Sequence, residues 1–73
     1  MSEHAVILVD STSQALRIEK LLNTEGLTCK LIPVPRHLSS DCGVCLRFLQ
    51  ADLGHVQALL EEGNFQFRSI EKL

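Results

Sequence analysis

The chain has no tryptophan and no tyrosine, and its only aromatics are three phenylalanines. Sheets that bind RNA stack bases on exposed aromatics. Here Phe48, Phe65 and Phe67 are all expected to face a core. Basic residues form no run, and the net charge is −2. That balance gives no push toward nucleic acid or a membrane surface. The longest clean apolar run, residues 5–9, is far short of the ~20 residues a membrane span needs. The first residues, MSEH, carry Glu3 where a secretion signal would be basic, so they do not read as one. Cysteine is sparse and odd in number, at three. Without an export signal, that points to reduced thiols in a cytoplasmic setting. Internal repeats and low-complexity segments are also lacking.

What is present is enough for a single small domain, residues 1–73. Hydrophobic residues make up 45% of the chain and the mean hydropathy is +0.14. Disorder does not fit that composition. One core of this size supplies about 3–5 kcal/mol of net stability. A partner surface, such as a homo-oligomer contact, is one use for the apolar excess.

Residues 5–9, AVILV, are apolar on both parities and suit a central strand. Asp10, Ser11, Thr12 and Ser13 follow, all N-cap residue types. Ser11 with Gln14 fits a capping box. Ala15, Ile18, Leu21 and Leu22 then form a helical stripe, and Gly26 suits the position just past the helix end. A helix is expected over residues 13–25. Leu27, Cys29 and Leu31 alternate with Thr28 and Lys30, as in a half-buried strand. Pro33 and Pro35 end it, because proline donates no ladder hydrogen bond. Residues 33–41 then form a loop.

Residues 43–49 fit two patterns. Val44, Leu46 and Phe48 alternate as in a strand. Cys42, Cys45, Phe48 and Leu49 also fit a helical stripe. The alternation and the early Gly43 favour the strand. A second helix is expected over residues 52–62, with Asp52 as N-cap, Val56, Leu59 and Leu60 facing in, and Gly63 ending it. Phe65 and Phe67 alternate in a last strand to about Ile70. The order βαββαβ predicts an α+β, ferredoxin-like domain: a four-stranded antiparallel sheet with two helices on one face. Its open face is assigned Thr28, Lys30, Cys45, Arg47, Gln66 and Arg68.

This topology brings the end of the first strand beside the start of the third. Asp10 to Ser13 should therefore approach Cys42 and Gly43. The start of the first helix adds positive potential there, and so do Arg36 and His37. Positive potential lowers a thiol pKa; Asp10 and Asp41 act in the opposite sense. Cys42 is the leading candidate site residue, a nucleophilic or group-carrying thiol. The competing reading is a small residue packed under the loop. Gly43 lets a ligand approach the backbone closely. Ser11, Thr12, Ser13 and Ser39, with Arg36 and Ser40, are candidates for an anion pocket; an ordinary exposed loop is the alternative.

The spacing C-x-x-C does not make a redox pair if residues 43–49 are a strand. Cys42 and Cys45 would then lie on opposite faces and about 10 Å apart. A disulfide needs Cα atoms within about 7 Å. Cys29 is expected to pack as a small apolar residue, and His4 and His55 to lie on the surface. Cys42, Cys45, His37 and Cys29 could supply metal-ligating atoms, but strand geometry does not converge them. No metal and no cofactor is expected.

Within the stretch PVPRHLSSDCG the chain resembles the selenium/sulfur carrier-like family of small bacterial and archaeal domains. The matching features are the Ser11-Thr12-Ser13 turn, Ala15 and Glu19 on the helix, Pro33, Pro35 and Arg36, and then Ser40, Cys42 and Gly43. Cys45 departs from the aliphatic residue expected there. The resemblance implies a cytoplasmic carrier that holds sulfur or selenium on Cys42, with Arg36 and Ser40 as neighbours. It implies donor and acceptor proteins as partners, and a carrier rather than an enzyme with its own turnover. The residues leave two alternatives: an anion- or protein-binding regulatory module using the same loop, and a homo-oligomeric structural module.

Overall fold

The computed structural model describes residues 3–38 and 43–73. The elements are β1 (His4–Leu8), α1 (Thr12–Thr24), β2 (Cys29–Pro33), β3 (Val44–Leu49), α2 (Leu53–Glu62) and β4 (Ser69–Lys72). The strands form one sheet in the order β2-β3-β1-β4. Every neighbouring pair is antiparallel. The arrangement is ferredoxin-like, as the element order predicts.

The main core lies between the helices and one face of the sheet. Ala5, Ile7, Val9, Leu46 and Phe48 point into it from β1 and β3 and their ends. Ala15, Ile18 and Leu22 cover them from α1, and Val56 and Leu60 from α2. The helical stripes seen in the sequence are therefore the faces that bury.

Helix α1 begins with Ser11, whose hydroxyl accepts the Gln14 N–H at 3.2 Å. The expected return bond goes one residue further back: Gln14 Oε1 accepts the Asp10 N–H at 2.9 Å. At the far end Gly26 takes a φ of +77°. Its N–H reaches Asn23 O, and the Leu27 N–H reaches Leu22 O. That is a Schellman ending, which satisfies the last carbonyls of the helix.

The second half of the chain differs from expectation in three ways. First, Asp52 precedes α2 but makes no side-chain cap bond. The chain enters through a 3₁₀ turn, Gln50–Asp52, and the Leu53 N–H is satisfied by Gln50 O. Second, Gly63 ends α2 as expected, but the residue beyond it, Asn64, takes the left-handed position, with a φ of 53°. Its N–H reaches Glu61 O and the Phe65 N–H reaches Leu60 O, so the same ending forms around asparagine.

Third, the last strand is Ser69–Lys72 and does not begin at Phe65. Phe65 is committed to closing α2, and pairing with β1 starts only where the Arg68 N–H meets Leu8 O at 2.7 Å. Phe65 and Phe67 still pack against the main core. Gln66 and Arg68 consequently leave the open face. They reach Gln14 and Asp10 at the start of α1.

The remaining sheet face is only partly open. Val6 and Cys45 are 0% exposed and Leu8 is 4% exposed. Ile32, Val34 and Leu38 pack over them as a second cluster. Arg47 and Lys30, paired across β3 and β2, hold the more accessible row.

Candidate functional site

The loop after β2 is closed at its base. The Val34 N–H donates to Gly43 O at 3.1 Å. The Leu38 N–H donates to Pro35 O at 3.0 Å, so Pro35 to Leu38 form a β-turn. Arg36 and His37 stand exposed at its centre. Val34 and Leu38 flank them and press onto Val6, Leu8 and Cys45. Among the described residues, Val34 and Leu38 and the Val34–Gly43 backbone bond hold the two ends of the loop.

Gly43 has a φ of +76°, and a Cβ built on it would meet nothing within 4 Å. Its glycine is required by backbone conformation and not by crowding. Ser39, Ser40, Asp41 and Cys42 lie outside the described residues. The expectations for the Cys42 thiol, and for Ser39 and Ser40 as anion donors, fall on them. What the structure gives is their frame: the turn before them and Gly43 after them.

The pairing of Leu8 with Cys45 fixes the level of the neighbouring edge. β1 ends at Leu8 and β3 begins at Val44, so Asp10 and Gly43 each lie just beyond those ends. Ser11 is engaged as the helix cap, while Thr12 and Ser13 are exposed on the first turn. The Asp10 carboxylate lies 3.5 Å from Arg68 Nη1, in a solvent-exposed ion pair. Such pairs contribute little to stability. This one joins the segment just after β1 to the residue before β4.

The two described thiols have different settings. Cys45 points away from the helices and is fully buried, with Sγ 4.0 Å from Pro33 O. It does not belong to an open face, because Val34 and Leu38 cover that end of the sheet. Cys29 is half-buried beside α1. Its Sγ lies 3.7 Å from Asn23 Oδ1 and 3.9 Å from Glu19 O. Burial pushes its pKa up, and the negative charge of Glu19 adds to the rise. Both effects disfavour the thiolate.

Sequence reasoning passed over Val34 and Leu38. The signal was available: two aliphatic residues within an otherwise polar turn, opposite a first strand apolar on both parities. Among the described residues no three His, Cys, Asp or Glu side chains converge as metal ligands. No described helix is long and apolar enough to cross a membrane.

Neither a curated protein nor a solved structure matches the chain. One family model does, that described as "Putative Se/S carrier protein-like", and it spans residues 4–72. The match takes in both helices, all four strands and the fastened loop; the chain belongs to this Se/S carrier protein-like family.

Proposed function

We propose that the protein carries sulfane sulfur or selenium on Cys42 as a persulfide or selenopersulfide. The family match over residues 4–72 carries this reading. The setting of the other two thiols supports it. Cys45 is sealed under the loop and Cys29 has a raised pKa, so neither suits nucleophilic attack. Cys42 follows a turn that exposes Arg36 and His37 and precedes Gly43, whose backbone a ligand can approach.

In the loading step the Cys42 thiolate attacks the terminal sulfur of a donor persulfide. A new S–S bond forms on Cys42, the donor S–S bond breaks, and the donor leaves as a thiolate. Electrons balance without an outside oxidant. A nucleophile on the acceptor then attacks the terminal sulfur and releases Cys42 as thiolate. The partners are a donor and an acceptor protein, and the cytoplasm keeps the thiol reduced between cycles. Arg36 and Ser40 would steady the anionic persulfide.

Intact mass after incubation with a protein persulfide donor tests this. A gain of one sulfur atom on the wild type, absent from Cys42→Ser, is the expected result. No gain on wild type, or a gain that survives Cys42→Ser, overturns it. The same experiment with a selenium donor distinguishes the two cargoes by mass.

A further inference from the structure

Two adjoining cavities of about 350 and 360 Å³ lie along α1. They share Arg17 and Phe65, so they make one groove between α1 and the turn after α2. One end is polar. There Gln14 Nε2 and Gln66 Oε1 meet at 3.4 Å in an exposed, long hydrogen bond that a ligand could replace. The other end has an apolar floor of Leu21 and Phe65, both packed on the main core. A Cβ on Gly63 would strike the Phe65 ring, so the turn is shaped to hold that ring. Arg17 and Lys20 are exposed at the groove, and neither has an ion-pair partner among the described residues. Among the described residues no Asp or Glu lines either cavity, although the chain is net negative.

We infer that this groove docks an extended acidic peptide segment of a partner protein. One apolar side chain sits on Phe65 and Leu21, and carboxylates face Arg17 and Lys20. Side-chain amides at Gln14 and Gln66 suit a peptide backbone, which both donates and accepts. An inorganic anion would gain nothing from the apolar floor. The groove begins at Gln14, which also binds the Asp10 N–H. Asp10 lies two residues past the end of β1, so a segment seated there ends at that end of the strand. That the partner is a sulfur donor or acceptor rests on the carrier reading; the docking itself does not.

The test is an amide NMR titration of the full chain. The probe is an end-blocked peptide rich in Glu and Asp with one central Leu. Shifts are expected in residues 17–24 and 63–66, and equally in Cys42→Ser. The double charge reversal Arg17→Glu with Lys20→Glu, at exposed positions, should weaken binding by about tenfold. The inference is overturned if millimolar peptide moves nothing in the groove. It is also overturned if a Gln-for-Glu, Asn-for-Asp peptide binds as well, or if inorganic phosphate moves the same resonances as strongly. Loss of persulfide loading with docking intact counts against the carrier reading alone.

Discussion

The two faces of the sheet do different jobs. The helix face buries a continuous core from β1, β3, α1 and α2. Among the described residues the other face buries Val6, Leu8 and Cys45 under Ile32, Val34 and Leu38. The first holds the domain together. The second fastens the loop that leads to Cys42. The two clusters are thus separate, and substitutions on the two faces should have different signatures.

The largest effect is expected on the helix face. Leu22 is fully buried between α1 and the sheet. Leu22→Ala should cost about 2–5 kcal/mol. The whole domain holds about 3–5 kcal/mol, so urea titration should find the variant largely unfolded. A stably folded Leu22→Ala would mean the core is not the source of stability. Next comes Gly43→Ala. It has room for the methyl but must keep a φ of +76°, at a cost of about 1–2 kcal/mol. Gly54→Ala, in α2 and equally uncrowded, should instead stabilise by up to about 1 kcal/mol. Equal melting shifts for the two would remove the backbone explanation.

On the loop face, Leu38→Ala removes part of a half-buried side chain, worth about 1 kcal/mol. Its signature should be local. The Val34 and Leu38 amides should exchange faster with solvent, while amides of β1 and β3 keep their protection. Uniform loss of protection would merge the two clusters into one.

The smallest effect concerns Cys29. Its folded-state pKa is raised by burial first and Glu19 second. The associated stability is fully present below the ordinary thiol pKa and is lost as pH rises through the raised value. Alkylation of Cys29 should lag a simple thiol near neutral pH. Glu19→Gln should narrow the lag without removing it, since burial persists. A Cys29 that reacts as fast as a free thiol would contradict this.

Much of the fold was legible because periodicity and end signals agreed. The stripe Ala15, Ile18 and Leu22 and the turn at Gly26 mark α1 almost to the residue. The alternation of Val44, Leu46 and Phe48 decided strand over helix for β3. The last strand was misplaced because Phe65 and Phe67 alternate as strand residues do. Their spacing cannot show that the Phe65 N–H is used to close α2. The cover over Cys45 was missed for a related reason. It depends on how the loop folds back, which the polarity of Arg36 and His37 conceals. Gly43 and the turn at Arg36 and His37 were visible as the two flanks of residues 39–42. The antiparallel pairing of β1 with β3, on which the expected approach of Asp10 to Gly43 was built, followed from topology.

The carrier role stands or falls on which sulfur is modified. Peptide mapping by tandem mass spectrometry, after loading from a persulfide donor, reads this directly. The extra sulfur should reside on the peptide containing Cys42, and alkylation of that thiol should show an apparent pKa below the ~8.5 of free cysteine. Sulfur found on Cys29 or Cys45, or an unmodified Cys42 beside a fully loaded donor, would contradict the assignment.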